Sequence, residues 1–408
     1  MPSLRLAVIC DFPEEGWHSM DLCGEMLLRE LRSAHADAVQ AERVCPPFRR
    51  CFGQLPLLGR GRRAFNADRL LNRFWTFPWH LRTRLGDFEC YHVCDHSYAH
   101  LVHVLPAEQT GVYCHDLDAF RCLIEPQRNP RPFWFKAMAR RTLQGLQKAA
   151  WVFVNTREVA SQLEARQLVD PAKIVLAPLG TAPEFSPQPA PADRTALPRE
   201  LSDAPYLLHV GSCIARKRID VLLNVFADVR RRHPSFHLIK VGGPWQPEQA
   251  EQLRQLGLSK AVTQLVGLDR CVVAALYRGA ALTLLPSEAE GFGLPVLEAL
   301  ACGSVVVASD LPAVREVGGE AVVYCPMGDV SRWVETVDGI LSGNQPPPPR
   351  AVRLARAERF SWRSHATTIL SCYEQSLASA PGAACGLAIG QGRRATSGIC
   401  ANKVDEKA

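Results

Sequence analysis

Short apolar runs alternate with segments of helical periodicity along most of this chain, and this alternation is its strongest constraint on the fold. Segments such as Met20–Ser33, Ile219–Arg232 and Val330–Leu341 repeat their apolar residues at helical spacing. The predicted strands are Leu4–Cys10, Tyr91–Cys94, Gly111–Cys114, Trp151–Val154, Ile174–Ala177, Leu207–Val210, Leu238–Val241, Leu282–Leu285, Val305–Ala308 and Ala321–Tyr324. Strands that alternate with helices favour parallel sheets with helices on both faces. The sequence therefore predicts an α/β fold.

The alternation occurs twice, and a proline-rich stretch separates the two series. Proline fixes φ and removes a backbone donor, so this stretch predicts a linker. We expect two doubly wound parallel-sheet domains facing a cleft. The predicted divisions are residues 1–182 for the first domain, 183–200 for the linker, 201–345 for the second domain, 350–376 for C-terminal helices and 377–408 for a disordered tail rich in small residues.

Composition excludes several classes of protein. A formal charge of +6 over 408 residues is too small for a nucleic-acid-coating protein, and no run of 18 apolar residues predicts a membrane-spanning helix. The start of the chain predicts a strand and not a signal peptide, because acids follow its apolar run at once. The 15 cysteines form no CxxC pair, and Cys10, Cys114 and Cys302 lie in apolar runs. We expect reduced core thiols and a cytoplasmic protein.

The most informative segment runs from Leu282 to Asp310, where a predicted strand, a loop and a helix follow one another. Pro295 suits the first position of the helix, and a glycine follows its end. Backbone amides at such a helix start bind phosphate groups. Two glutamates, Glu290 and Glu298, flank this loop with seven residues between them.

The run Glu290-Gly-Phe-Gly-Leu-Pro-Val-Leu-Glu298 resembles the E-x7-E signature of retaining glycosyltransferases of family 4, and the resemblance extends from His209 to about Tyr324. It implies the GT-B fold, with a C-terminal helix that crosses back to the first domain. By this resemblance, Glu298 binds the nucleotide ribose and Glu290 contacts the donor sugar. The donor's sugar and diphosphate would be held by backbone amides from Gly291 to Leu294, which include those of Phe292 and Gly293. The alternatives are a helix-dipole acid for Glu298 and a solvated loop acid for Glu290.

A second segment, His209 to Leu223, places cations after a strand that ends at Gly211. Cations there would neutralise a diphosphate leaving group, and the family has an arginine and a lysine in this segment. Lys217 matches the lysine, whereas Ser212 occupies the usual arginine position, so Arg216 is the candidate replacement. A solvated charge cluster at the helix start is the alternative. Leu268, after another short strand, matches the family's base-contacting region.

In the first domain, Gly111–Cys114 predicts a strand whose loop, His115-Asp116, faces the cleft. The family places a histidine near the transferred sugar here, which makes His115 a candidate catalytic residue; a hydrogen-bonded core histidine is equally compatible. Asp116 is expected to cap a helix or to pair with a histidine. The loop Asp11–Ser19 departs from the family's glycine-rich loop, so a phosphate can approach the backbone only near Gly16, and its acids could instead recognise acceptor hydroxyls.

Three histidines, His96, His100 and His103, would share one face of a helix. Their spacing raises a metal site as an alternative, but no partner motif such as HExxH exists, and the GT-B family needs no metal for catalysis. Packing or acceptor contact is expected instead.

The segment Arg49–Arg84 holds nine arginines and a single acid, Asp68, with aromatic residues interleaved. Its net charge of +8 exceeds that of the whole chain, so the rest of the chain is slightly acidic. The segment is compatible with peripheral contact on an anionic membrane, at the inner face, or with a lipid-diphosphate acceptor. A solvated arginine face over an aromatic core is the favoured alternative, because apolar and basic residues do not separate by face.

The resemblance implies a retaining, metal-independent glycosyltransferase that moves a sugar from a UDP- or GDP-linked donor to a hydroxyl acceptor, in glycan, exopolysaccharide or glycolipid synthesis. The donor is a cosubstrate, and we expect no cofactor and no nucleic-acid partner. A nucleotide-sugar-binding pseudoenzyme or scaffold is the alternative, because of Ser212 and the altered first loop. An NAD-dependent oxidoreductase is disfavoured, since no GxGxxG follows the first strand.

Overall fold

A computed structural model describes residues 4–54, 61–189 and 204–379. It contains two six-stranded sheets, and all their strand pairs are parallel. The first sheet consists of β1 Leu4–Ile9, β2 Val39–Val44, β3 Cys90–Val93, β4 Thr110–Cys114, β5 Trp151–Val154 and β6 Ile174–Leu176. The second consists of β7 Tyr206–Val210, β8 His237–Val241, β9 Val262–Leu265, β10 Leu282–Leu285, β11 Val306–Ser309 and β12 Val323–Cys325. The predicted architecture of two doubly wound parallel sheets is confirmed.

Helices connect the strands and cover the sheets. The α-helices are α1 His18–Ser33, α2 Arg62–Leu71, α3 Phe77–Arg82, α4 Arg121–Ile124, α5 Phe133–Lys148, α6 Arg157–Ala165, α7 Ile219–Arg232, α8 Pro247–Gln255, α9 Arg270–Gly279, α10 Leu294–Ala301, α11 Pro312–Gly318, α12 Val330–Leu341, α13 Arg350–Glu358 and α14 Trp362–Ser379. A π-helical turn, Asn72–Thr76, joins α2 to α3. The 3-10 segments are Pro13–Glu15, His96–Val104, Ala107–Gln109, Asp118–Phe120, Pro171–Lys173, Ala215–Lys217 and Gly319–Ala321.

The strand orders fix where a ligand can bind. The first sheet has the order β2-β1-β3-β4-β5-β6, and the second β12-β11-β10-β7-β8-β9. In the second sheet, the connections from β7 run outward in one direction as far as β9, and the chain then returns to β10 on the other side of β7. A crevice therefore opens between the carboxyl ends of β7 and β10, which is the usual ligand position in such sheets.

Three strands differ from the sequence-based expectation, and one of them is β9, which was expected only as a short strand before Leu268 without stated bounds. The edge strand β2 is absent from the predicted list, because its exposed positions Gln40, Glu42 and Arg43 interrupt its buried ones. The final strand was predicted from Ala321, but Gly319–Ala321 form a 3-10 turn and β12 begins at Val323. Amphipathic edge strands and turn-to-strand junctions give only weak apolar patterns.

The C-terminal helix returns to the first domain, as expected for the GT-B fold. The Tyr373 hydroxyl of α14 lies 3.0 Å from His92 Nδ1 and donates to the Tyr91 carbonyl at 3.0 Å. All three residues are buried, and one hydrophobic cluster joins α14 to both sheets. Helix α14 extends to Ser379, three residues into the predicted tail, while residues 190–200 of the predicted linker and 380–408 of the tail lie outside the described residues.

Candidate functional site

The loops that leave β7 and β10 form the core of the site. The β7 loop ends in the 3-10 turn that contains Arg216 and Lys217, and the β10 loop contains Ser287 and Glu290. The Glu288 amide donates to the Arg216 carbonyl at 2.7 Å, which fixes the two loops to each other. The structure therefore brings the candidate cations and the first glutamate together at the predicted crevice.

Glu290 is a buried carboxylate held by two cations and a hydroxyl. Lys217 Nζ and Ser287 Oγ each donate to its Oε1 at 2.6 Å, and Arg216 Nη1 lies 3.5 Å from its Oε2. Burial favours the neutral acid, but the nearby positive charge of Lys217 and Arg216 outweighs it and lowers the pKa of Glu290. Glu290 is therefore ionised at neutral pH, and it holds Lys217 in a fixed position.

Arg216 bridges the cleft. Its Nη1 donates to the Ala289 carbonyl at 3.0 Å, within the second domain. Its guanidinium also lies 3.8 Å from Asp116 Oδ2 and 3.3 Å from Asp118 Oδ2, in the first domain. A bound diphosphate at this point would compete with those two carboxylates for the same cation.

The start of α10 presents free backbone donors. Gly293 caps the helix at φ +94°, a left-handed conformation that favours glycine, and Pro295 lies in the first turn as expected. The amides of Phe292, Gly293 and Leu294 have no hydrogen-bond partner within the described residues. These donors, together with the positive end of the helix dipole, can bind an anion. The Phe292 side chain faces inward and packs edge-on against Phe360.

Glu298 lies inside α10, one turn beyond the free amides. Burial raises the pKa of Glu298 to about 8, despite the opposing effects of the Tyr277 hydroxyl and Arg270. Tyr277 donates to Glu298 Oε2 at 3.2 Å. The carboxyl group is therefore largely neutral at pH 7 and becomes a stronger acceptor when it ionises.

Gly291 lies where the β10 loop contacts the first domain; we call this loop, residues 286–293, the donor loop. A Cβ at this glycine would lie 2.1 Å from the His115 carbonyl oxygen, so no larger residue fits. The Thr156 hydroxyl donates to the Gly291 carbonyl at 2.9 Å, and Asn155 Nδ2 donates to the His115 carbonyl at 3.0 Å. The structure thus places His115 beside the loop that contains Glu290.

His115 is a buried, neutral histidine. Its Nε2 donates to the Cys94 carbonyl at 2.8 Å, which leaves Nδ1 unprotonated, buried and without a partner in the described part of the chain. Burial lowers the pKa of His115, although Asp95 opposes this effect. His115 is therefore a hydrogen-bonded core histidine whose carbonyl contacts the β10 loop, and a catalytic role near a transferred sugar stays a prediction.

His96 lies between two carboxylates of the first domain. Its Nδ1 lies 3.1 Å from Asp95 Oδ1 and its Nε2 lies 3.6 Å from Asp116 Oδ1. Burial favours neutral His96, but Asp95 and Asp116 outweigh it and raise the pKa of His96. Asp116 also accepts from the Asp118 amide at 2.9 Å, which forms an Asx turn. Asp116 thus lies beside a histidine, as expected, but it does not cap the next 3-10 segment, whose capping position is Leu117.

The three histidines do not share a face. His96–Val104 is a 3-10 helix with three residues per turn, so spacings of four and seven residues do not align as they would in an α-helix. His100 Nε2 lies 2.8 Å from the Arg73 carbonyl, and His103 Nε2 lies 2.9 Å from the Arg141 carbonyl. Residues 4–54, 61–189 and 204–379 contain no group of three or more His, Cys, Asp or Glu side chains arranged to hold a metal ion.

A salt bridge connects Glu15 of the loop after β1 to Arg73 of the π-helical turn. The Glu15 side chain is 0% exposed, and its Oε1 accepts from Arg73 Nε at 2.8 Å and from the Tyr98 hydroxyl at 2.9 Å. The proposal that the acids of this loop recognise an acceptor therefore fails for Glu15. Asp11 is buried with both oxygens unpaired in the described structure, and burial raises its pKa well above the ordinary value.

The remaining predicted donor residues lie at the same edge of the second sheet. Gly211 follows β7 beside buried His209, whose Nδ1 donates to the Leu284 carbonyl at 2.9 Å. Leu268 follows β9 and packs on the core. Sequence reasoning gave no role to Ser287, Tyr277, Asp118 and Thr156, which are brought to the site by the fold. Glu316 of α11 accepts from the Arg157 amide of the first domain at 2.8 Å.

Known proteins are similar to this chain in sequence and in fold. Residues 196–359 match the family described as "Glycosyl transferases group 1". A D-inositol 3-phosphate glycosyltransferase from Mycobacterium leprae (strain Br4923) is 32% identical over 248 residues, which cover 57% of this chain and 56% of the relative. One from Gordonia bronchialis is 30% identical, covering 58% and 54%. The chain thus matches little more than half the length of these curated relatives.

Solved structures agree in fold across both domains. Sucrose-phosphate synthase from Thermosynechococcus elongatus matches with a TM-score of 0.68 at 20% identity, over 92% of this chain and 100% of that chain. Anabaena HepE in complex with UDP and glucose matches with a TM-score of 0.66 at 15% identity, over 92% and 100%. At these identities the likeness establishes the fold, which is GT-B.

Proposed function

Residues 196–359 match the glycosyl transferases group 1 family, and from that match we propose that this protein is a retaining glycosyltransferase with a nucleotide-sugar donor. The donor is a UDP- or GDP-linked sugar, and the acceptor is a hydroxyl group in glycan, exopolysaccharide or glycolipid synthesis. The observation that carries the proposal is one arrangement at the β7–β10 crevice. Two cations on the ionised Glu290 face a helix start whose amides are unpaired in the described structure.

This arrangement suits a leaving diphosphate. Negative charge develops on the diphosphate as its bond to the sugar breaks, and Lys217, Arg216 and the α10 amides would stabilise that charge. Glu290 would position the sugar, and Glu298 would accept hydrogen bonds from the ribose hydroxyls. In the mechanism implied by the family, the acceptor attacks on the face from which the diphosphate leaves, so the anomeric configuration is retained.

We propose that the reaction needs no metal ion and no cofactor besides the donor, because Lys217 and Arg216 supply the positive charge that the diphosphate requires. Arg216 would have to exchange Asp116 and Asp118 for the diphosphate when the donor binds. His115 would lie near the transferred sugar, with its unprotonated Nδ1 as the atom able to accept a proton or a hydrogen bond.

The test is a donor screen with product analysis. The purified protein is incubated with UDP- and GDP-sugars and a panel of hydroxyl acceptors, with and without EDTA, and NMR reports the anomeric configuration. Transfer or hydrolysis with retained configuration, unchanged by EDTA, supports the proposal. Binding without turnover across the panel would instead favour the scaffold alternative.

We further propose that the Arg49–Arg84 segment contacts an anionic membrane through a groove of about 630 Å³ beside the π-helical turn. Trp75 and Trp79 line it and are 72% and 71% exposed. Arg49 and Arg82 also line it, and neither pairs with an acid in the described chain. Exposed tryptophans beside free cations suit the membrane interface.

Other arginines of the segment serve the fold. Arg73 is buried on Glu15, and Arg84 pairs with Glu42 at 2.7 Å and with Asp87 at 2.8 Å. Arg49, Arg50, Arg62, Arg63 and Arg82 are exposed, so a solvated arginine face over an aromatic core stays the alternative to membrane contact. Among residues 4–54, 61–189 and 204–379, no helix is both long enough and apolar enough to cross a bilayer.

A further inference from the structure

The first turn of α6, in the first domain, is capped by a side chain of the second domain. Thr156 precedes α6, and its hydroxyl oxygen accepts from the Val159 amide at 3.2 Å. The next two amides point at Glu316 of α11: the Arg157 amide lies 2.9 and 2.8 Å from its two carboxylate oxygens, and the Glu158 amide lies 3.4 Å from one of them. A carboxylate at a helix start satisfies free donors and meets the positive end of the dipole.

The same short segment holds the donor loop. The Thr156 hydroxyl donates its proton to the Gly291 carbonyl at 2.9 Å, while Asn155 holds the His115 carbonyl at 3.0 Å. Gly291 approaches that carbonyl so closely that even a Cβ would overlap it. Residues Asn155–Arg157 therefore contact Glu316 on one side and the donor loop on the other. We call these three residues with Gly291 and Glu316 the interdomain joint.

We propose that Glu316 and Thr156 are positioning residues that set the spacing between the donor loop and His115 across the cleft. The catalytic consequence rests on the proposed glycosyltransferase function, whereas the mechanical role does not. Every hydrogen bond that the Glu316 carboxylate makes in the described structure crosses between the domains. Loss of the Glu316 carboxylate should therefore weaken the contact between the domains without removing a hydrogen bond within either domain.

The geometry explains why such a device matters for transfer. Donor groups on the second domain and His115 on the first must be held within a fraction of an ångström for an acceptor to react. The joint, the Arg216 bridge, the return of α14 and the ion pair of Arg270 with Glu25 at 2.9 Å all connect the two domains. Among these connections, the joint lies nearest to Glu290 along the chain, because its member Gly291 is the residue that follows Glu290.

The first experiment measures the joint without any substrate. Glu316→Gln is compared with Glu320→Gln, whose exposed side chain lies on the following turn and makes no hydrogen bond or ion pair within the described residues. Amide hydrogen exchange at Arg157 and Glu158 should rise about tenfold in Glu316→Gln alone, with an unchanged melting temperature. Equal exchange in the two variants would overturn the proposal.

The second experiment measures the consequence for catalysis, with UDP and UDP-glucose as probes. For Glu316→Gln we expect an affinity for UDP within twofold of the unaltered protein and a kcat for UDP-glucose hydrolysis lower by about tenfold. If Glu316→Gln lowers both the UDP affinity and the melting temperature, its role is merely structural, and the proposal is contradicted.

Thr156 provides an independent check with a conservative rescue. Thr156→Val removes the hydroxyl that bonds Gly291, while Thr156→Ser keeps it. Only the valine variant should lower kcat and raise exchange at the joint; the same behaviour in both would overturn the assignment. If the unaltered protein hydrolyses no UDP-glucose, the proposed donor fails, and the exchange measurements still decide whether the joint exists.

Discussion

The two domains present their carboxyl edges to the same cleft but build them differently. The edge of the second domain is assembled from two short segments of chain, and its key groups are Lys217, Glu290 and the α10 amides. The edge of the first domain collects single residues from distant loops, such as Glu15, His96 and His115, and each of them pairs with other groups of the first domain. Under the proposed function, we therefore expect a preformed donor side and an acceptor side whose specificity depends on tertiary packing.

The largest expected effect tests the preformed side. Lys217→Ala removes the cation closest to Glu290 and should lower turnover with the accepted donor by about 10² to 10³, the range for loss of one group that stabilises developing charge. Lys260→Ala, an exposed lysine of the same domain, is the matched control. Equal rates for the two variants, measured under saturating donor, would refute the role of Lys217.

The second prediction concerns the first domain. His115→Gln should lower kcat by on the order of 10², because it removes the unpaired Nδ1 that is proposed to face the transferred sugar, while UDP affinity stays within twofold. His35→Ala, after α1 at the opposite end of the sheet, is the control. Calorimetry with UDP and initial rates with the donor separate the two steps. A loss of UDP affinity equal to the loss in rate would place His115 on the donor side and erase the contrast between the edges.

The same contrast explains what the sequence could predict. Glu290, Gly293 and Pro295 lie in one local pattern, so their arrangement around a strand, a loop and a helix could be predicted from the sequence. Strands with continuous apolar runs were likewise predictable, whereas β2 alternates and was missed.

The remainder depends on long-range packing. Glu316 meets Arg157 only because the domains close on each other, and the pairing of Arg73 with Glu15 joins residues 58 positions apart. The histidine spacing misled because an α-helix was assumed where the chain forms a 3-10 helix. No periodicity in a single segment encodes these contacts.

A third prediction concerns the titration of Glu298, whose pKa is raised to about 8 by burial. Ribose hydroxyls donate more strongly to the ionised carboxylate, so binding favours loss of its proton. UDP affinity should therefore rise with pH through the pKa of about 8 and level off only at higher pH, where Glu298 of the unbound protein is mostly ionised. Glu298→Gln should weaken binding about tenfold at pH 9 and remove this pH dependence.

Calorimetry from pH 6 to 9 checks this prediction, with Glu248→Gln, an exposed acid of α8, as control. An affinity that is flat with pH in the unaltered protein would separate Glu298 from the ribose. Glu298 would then no longer count among the donor-binding groups of the second domain.

The smallest effect on turnover is expected on the outer surface of the first domain. A double variant, Trp75→Ser with Trp79→Ser, should leave turnover of a water-soluble acceptor unchanged, because both side chains are exposed and outside the cleft contacts described above. Co-sedimentation with vesicles of anionic phospholipid should fall severalfold, since the indoles lose their place at the lipid interface. Trp134→Ser, which changes an exposed tryptophan of α5 outside the groove, is the control.

The bound fraction should also fall as salt is added, because salt screens the attraction between the groove arginines and the anionic lipid. Vesicles of neutral phospholipid should bind little, because they carry no negative charge to attract those arginines. If Trp134→Ser reduces binding as much as the double variant, the contact is not confined to the groove. The proposal that the groove is the membrane-contacting surface would then fail, because the tryptophans of the groove would contribute no more than a tryptophan outside it.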